Sequence, residues 1–252
     1  MHHIDQTLKE QKVRRDGTDA RTDNHAVEGL LSELRGNEVF GRVAEVRAYD
    51  ERMAALRDRA AENRRVLEML SVISEDLVLE VGTGTGLFAR QCAAITKHVI
   101  AIDISRAMLD YAALRAMEEG IANISFVHAG FLTYRHDGPP IDAVVSSLAL
   151  HHLPDQWKLV GLKRLAGITR RGARLLLSDL VFPDHTVDDP VAHFGALVSG
   201  MPPSSRKEME RHLRTEFSTF DWAMRQIVSR AGFRLEWSTI EGVLTHYLCT
   251  RL

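Results

Sequence analysis

The stretch that most constrains this chain runs from Leu77 to Asp103. Leu77-Val78-Leu79-Glu80-Val81 is a short apolar run, Gly82-Thr83-Gly84-Thr85-Gly86 follows it, and Leu87-Phe88-Ala89 opens a helical pattern. A second run, Val99-Ile100-Ala101-Ile102, ends in Asp103. The order predicts strand, glycine loop, helix, strand and acid. Glycines let the backbone turn tightly and approach a ligand, and the first N–H groups of the helix point back at the loop. Asp103 falls about twenty residues on, where a doubly wound sheet offers a carboxylate to ribose hydroxyls. A nucleoside-containing ligand is the first expectation.

The glycine spacing bears on which nucleoside. Gly84-Thr85-Gly86-Leu87-Phe88-Ala89 satisfies the dinucleotide pattern G-x-G-x-x-A, which alone is a weak signal. The register that includes Glu80 reads E-x-G-x-G-x-G, and an acid at that place suits a cationic ligand and repels a pyrophosphate. At these residues the chain resembles the class I S-adenosylmethionine-dependent methyltransferases, whose first motif has this form. The resemblance implies that Glu80 lies near the methionyl end of the cofactor, that Gly82, Thr83, Gly84 and Gly86 form its loop, and that Asp103 takes the ribose. It also implies that Ile104 flanks the adenine. After its third strand the family commonly carries an aspartate that accepts from the adenine amino group. Here the sequence is Ala129-Gly130-Phe131, so Gly130 stands where the acid would be, and the loop backbone and Phe131 are left to meet the base.

A second phrase, Ser146-Ser147-Leu148-Ala149-Leu150-His151-His152-Leu153-Pro154-Asp155, also resembles the family, where this strand end faces the sulfonium and the methyl acceptor. Leu148 is then expected beside the cofactor. His151 or His152 is a candidate general base, since imidazole titrates near neutral pH, and the other reading of each is a loop histidine that shapes the turn. Two adjacent histidines with no carboxylate or cysteine nearby in sequence at ligand spacing predict no metal site.

Length and composition set outer bounds. With 252 residues, 45% hydrophobic and 26% charged, the chain suits one soluble α/β domain with additions. A formal net charge of −2 gives no general attraction to nucleic acid or anionic membrane. The two cysteines, Cys92 and Cys249, read as core thiols. No signal-peptide core and no membrane-spanning run is visible, so a cytoplasmic protein without membrane association is expected.

The chain divides as follows. Residues 1–25 are polar and aperiodic and predict a flexible N-terminus, and 26–70 carry helical spacing and predict an N-terminal helical layer. Tyr49, in that layer, either covers the cofactor or packs the layer onto the sheet. Residues 71–182 and 218–252 predict the nucleoside-binding domain, with Ser105 as N-cap of the helix after Asp103 and Gly120 as its stop. Asp179 sits at the end of the fifth strand, facing substrate or capping the next loop. Residues 183–217 break the periodicity and predict a cap or lid over the crevice, with its charged run from Arg206 to Arg214, whose bases alternate with Glu208, Glu210 and Glu216, as a solvated helix rather than an RNA patch. Ser218 or Thr219 is read as the cap of a helix from Phe220 to Arg230, and Glu241-Gly242 as the turn of a closing antiparallel hairpin. The expected fold is therefore α/β, a doubly wound, mostly parallel seven-stranded sheet ending in that antiparallel hairpin, with an N-terminal helical layer and a helical cap insertion. The leading functional expectation is methyl transfer from S-adenosylmethionine to a small molecule. A methyltransferase acting on RNA or protein, and a non-methylating S-adenosylmethionine-binding protein, are the alternatives.

Overall fold

A computed structural model describes residues 42–56, 58–199, 203–241 and 244–252. Residues 1–25, expected as a flexible N-terminus, the first part of the expected helical layer and the expected hairpin residue Gly242 lie outside the described residues.

Helices α1 (Val43–Leu56) and α2 (Arg59–Leu70) precede β1 (Leu77–Val81), α3 (Leu87–Ala93), β2 (His98–Asp103), α4 (Arg106–Glu118) and β3 (Ile124–His128). Then come β4 (Ile141–Ser147), a 3-10 turn (Leu150–His152), α5 (Asp155–Ile168) and the long β5 (Thr169–Phe182). The chain continues through α6 (Pro190–Ser199), α7 (Pro203–Thr215), β6 (Thr219–Phe220), α8 (Asp221–Arg230), β7 (Phe233–Glu241) and β8 (Leu244–Arg251). The sheet order is β3-β2-β1-β4-β5-β8-β7, with β6 paired to the end of β5. Strands β1 to β5 run parallel, and β8 is antiparallel to both β5 and β7. The expected architecture holds, with the two-residue β6 as an eighth strand too short to show in a hydrophobic pattern.

Alternation along the strands explains why helices cover both faces. Leu79, Val81, Ile100, Ile102, Val144, Leu175 and Leu177 belong to one apolar cluster with Leu162 and Leu165 of α5 and Met224, Ile227 and Val228 of α8. The intervening Val78, Val99, Ala101, Ala143, Val145 and Leu176 belong to another, with Phe88, Ala89 and Cys92 of α3 and Leu70 of α2. Both cysteines are buried free thiols.

Local signals fix most helix ends. The Ser105 hydroxyl accepts from the Met108 N–H at 3.3 Å and starts α4, and Gly120 past its end has φ of +70°. Two boundaries differ from the sequence reading. Arg170-Arg171-Gly172 is part of β5 rather than a turn before it. Thr219 does not cap α8: Phe220 is its N-cap with no side-chain bond, and the Thr219 hydroxyl donates to Asp155 at 2.9 Å. Among the described residues no helix is long and apolar enough to cross a membrane.

The sheet order reverses between β1 and β4, and the carboxyl ends of these two neighbours diverge into the crevice where open α/β sheets bind ligands.

Candidate active site

The loop after β1 is held by its own backbone. The N–H groups of Gly82 and Thr83 both donate to the carbonyl of Ile102, at 2.9 and 3.0 Å, tying the loop to the end of β2. Gly82 has φ of +78°, and a Cβ there would lie 2.4 Å from the Cβ of Ala149, so the close approach of the β4 loop demands glycine. Gly84 has φ of +54° and nothing within 4 Å of the place a Cβ would occupy. That open space faces the crevice.

Asp103 closes the loop from the other side. One carboxylate oxygen accepts the Gly84 N–H and the other the Ser105 N–H, each at 2.8 Å. Burial raises its pKa while these two bonds pull the other way. Glu80 is buried, and the Thr83 hydroxyl donates to it at 2.6 Å. Desolvation pushes its carboxyl up to about 8, with the Thr83 bond opposing and the charge of Asp103 adding to the rise. An acid so raised is proton-bearing near neutrality until a positive group arrives.

The N-terminal layer is pinned to this loop by Asp50. Its carboxylate accepts from Arg59 at 2.8 Å, from the Thr85 hydroxyl at 2.7 Å and from the Tyr111 hydroxyl at 3.1 Å. The result is a cavity of about 720 Å³. Tyr49, Met53, Arg59 and Met69 of the layer line one side, and Glu80, Gly82, Thr83, Gly84, Asp103, Ile104, Gly130, Phe131 and Leu148 line another, with Glu241, Leu244 and His246 at the hairpin end. Of the residues expected to hold the cofactor, only Gly86 is off the wall; its Cβ position is blocked by Ala112 at 2.7 Å, so it serves the packing of the loop on α4.

The Ala129-Gly130-Phe131 loop reaches the cavity, but Gly130 has spent its own polar groups. Its N–H donates to the Thr133 hydroxyl at 2.8 Å and its carbonyl accepts from Tyr134 at 3.0 Å. Leu148 has φ of +53°, a strained conformation for a branched residue, held by a bond from its N–H to the Ser178 carbonyl at 2.8 Å. The strain sits where β4 turns into the histidine loop.

The two histidines differ. His152 lines the cavity and is about a third exposed, whereas His151 is buried behind it. His151 presents Nδ1 to Asp179 in a very short contact, and its backbone N–H donates to the same carboxylate at 2.9 Å. Its Nε2 lies 2.9 Å from Glu216, as does Nδ1 of His152. Burial works against a charge on His151, but the two carboxylates outweigh it and hold the ring up to about 9. The Asp179 carboxyl is correspondingly lowered, burial opposing and His151 prevailing. Asp179 is therefore off the cavity wall: it orients the His151 ring and accepts the backbone N–H groups of His151 and Leu180.

Glu216 corrects the sequence reading twice. It is not part of a solvated charge run, since its side chain is only 13% exposed, and it supplies the carboxylate whose absence from the neighbouring sequence argued against a metal site. Further up the run, the Arg206–Glu210 pair is surface-exposed as expected. Among the described residues of 183–217, none lines the cavity; the segment meets the site at its end, where Phe217 N–H donates to the His151 carbonyl at 2.8 Å. Asp50 and Glu216 are the residues that sequence reasoning missed. Asp50 stands beside Tyr49, which had been singled out, and nothing near Glu216 pointed to the histidines.

A glycine loop after the first strand, a buried acid at the end of the second and a cleft beside them form the arrangement in which doubly wound α/β proteins bind nucleosides. Residues 78–172 match the family model described as a methyltransferase domain. An uncharacterized methyltransferase of Bacillus velezensis is 29% identical over 168 residues, covering 67% of this chain and 74% of that protein. One from Mycobacterium bovis is 34% identical over 120 residues, 47% of this chain and 57% of the other. Magnesium protoporphyrin IX methyltransferase from Synechocystis PCC 6803, solved with bound S-adenosylmethionine, superposes with a TM-score of 0.55 at 18% identity, covering 76% of this chain and 79% of that one. The matched domain, these relatives and the shared fold support a class I S-adenosylmethionine-dependent methyltransferase.

Proposed function

We propose that this enzyme transfers a methyl group from S-adenosylmethionine to a small-molecule acceptor by in-line displacement. The observation that carries the reading is the cavity itself. It is closed on one side by α1 and α2, spans the glycine loop and the end of β4, and its about 720 Å³ is in the upper part of the range small-ligand sites occupy. An RNA or protein acceptor calls for an open groove, and a formal net charge of −2 offers RNA no general attraction.

In this reading Asp103 accepts from the ribose hydroxyls while keeping the Gly84 and Ser105 N–H groups. Glu80 faces the positively charged methionyl end, Ile104 and Phe131 bracket the adenine, and Leu148 packs beside the sulfonium. Gly82, Thr83, Gly84 and Gly86 shape the loop. The methyl carbon passes from sulfur to the acceptor atom, and the S–C bonding pair stays on sulfur as a neutral thioether. The protein's contribution is alignment and exclusion of water. When the acceptor is a hydroxyl its proton must also leave, and His152 is the histidine on the cavity wall, with His151 behind it through Glu216. Residues 183–217 select the acceptor from the end that carries Glu216.

The test uses methyl-labelled S-adenosylmethionine with three acceptor pools: small-molecule extract, RNA and protein. Label entering the small-molecule pool, and lost in Asp103→Ala, is the expected result. Label entering only RNA or protein overturns the acceptor class, and no transfer to any pool with cofactor bound favours a non-methylating protein.

A further inference from the structure

Three side chains from two separate parts of the chain converge beside the cleft. Nε2 of His151, Nδ1 of His152 and a carboxylate oxygen of Glu216 all lie within 4.8 Å of one another, and Glu216 Oε2 is 2.9 Å from each of the two nitrogens. We propose that this trio binds a divalent first-row transition-metal ion on the acceptor side of the cofactor cleft, and that the ion takes an oxygen atom of the acceptor.

The spacing suits coordination. Donors about 2.1 Å from a metal stand roughly 3.0–3.4 Å apart in octahedral or tetrahedral arrangement, so the two Glu216 contacts at 2.9 Å reach that spacing by opening a few tenths of an ångström. Asp179 provides the outer support such sites use. It is buried, it holds Nδ1 of His151, and it is itself fixed by the N–H groups of His151 at 2.9 Å and Leu180 at 2.8 Å. A carboxylate bonded to one ring nitrogen aims the other at a metal and raises its basicity. Two imidazoles and one carboxylate suit zinc, iron or manganese better than magnesium or calcium, which prefer all-oxygen sets.

Three protein ligands leave at least one coordination position open. His152 is on the cavity wall while His151 is buried, so the open side faces the cleft. The inference rests on the methyl-transfer reading and narrows it: the acceptor is a molecule with a hydroxyl or carboxylate oxygen able to bind the ion. A coordinated hydroxyl gives up its proton to solvent near neutral pH, its lone pair then takes the methyl group, and the sulfur keeps the electrons of the broken bond. His152 in this arrangement serves the acceptor through the ion rather than by taking the proton itself. Because Glu216 sits at the end of α7, the ion also ties the 183–217 segment to the cleft.

The full chain, stripped with chelator and dialysed, is titrated with Zn²⁺ by calorimetry and with Co²⁺ by visible absorption. One ion per chain is expected, with Co²⁺ bands of nitrogen and oxygen ligation. His152→Ala and Glu216→Gln should each weaken binding at least a hundredfold, and Asp179→Asn about 10–100-fold, with thermal unfolding showing that each variant is folded. Two histidine variants of the extreme N-terminus, His2→Ala and His3→Ala, should leave it unchanged. No ion bound by the wild type at micromolar concentration, or binding that Glu216→Gln leaves intact, overturns the proposal. A parallel titration with S-adenosylmethionine separates the two readings: cofactor bound without any ion overturns the ion site alone, and ion bound without cofactor upholds the ion site while overturning the cofactor reading.

Discussion

Gly82 and Gly84 are two residues apart and do different work. Gly82 yields its space to Ala149, so Gly82→Ala combines a left-handed backbone with a 2.4 Å clash and should cost at least about 1–3 kcal/mol of stability. Gly84 has no such neighbour, so Gly84→Ala should cost about 1–2 kcal/mol through backbone strain and lose cofactor affinity disproportionately, because its methyl group enters the ligand's space. Thermal unfolding beside calorimetric titration separates the two; equal loss of stability with equal affinity would contradict the assignment. Asp103→Ala should lose about 1.5–3 kcal/mol of cofactor affinity, roughly tenfold to over a hundredfold, while also freeing the Gly84 N–H. Glu80, the glycines and Asp103 were legible in the sequence because motif and chain neighbours coincide there. Asp50 and Glu216 were not, and Asp179 was legible in place but not in role, since these roles come from partners that only the fold brings near.

At the scale of elements, strands β1 to β5 and the closing pair could be read from alternating apolar runs bounded by glycine and charge. What resisted was whatever lacks a period. The two residues of β6 carry no pattern, and in 183–217, expected as a helical cap, the charged run marks α7 while α6 carries no such mark. The anchor of that segment is Lys158 on α5, whose ammonium is fully buried and donates to Asp155 at 2.7 Å and, in a very short contact, to the Phe217 carbonyl. Removing a charged donor from a buried carbonyl costs about 1.5–3 kcal/mol, so Lys158→Ala should lower the unfolding temperature. It should also speed proteolytic cleavage between 183 and 217, which in the wild type is expected to precede cleavage of the sheet. If that segment resists protease as long as the sheet does in both proteins, it is core and not a cap.

For the whole molecule, the buried acid Glu80 links stability, pH and ligand. Its folded pKa of about 8 lies above its ordinary value of 4.5, so the free enzyme carries a proton there that the unfolded chain does not. The stability this contributes is full below about pH 4.5 and is lost as pH rises to about 8. Glu80→Gln keeps an acceptor for the Thr83 hydroxyl and should flatten that decline in unfolding temperature. Cofactor binding should show the opposite slope, since the cationic methionyl end favours the ionised carboxylate. Affinity then rises with pH up to about 8, by at most tenfold per unit for one proton, and levels above it. Comparison with Glu80→Gln cancels the ligand's own titration.

The most direct measurement is calorimetric titration of the wild type, Glu80→Gln and Asp103→Ala with S-adenosylmethionine, its demethylated product and NAD. The account predicts that both sulfur nucleosides bind the wild type, that Asp103→Ala weakens them tenfold or more, and that NAD, whose pyrophosphate would meet Glu80, does not bind. Tight binding of NAD with neither sulfur nucleoside bound would contradict it.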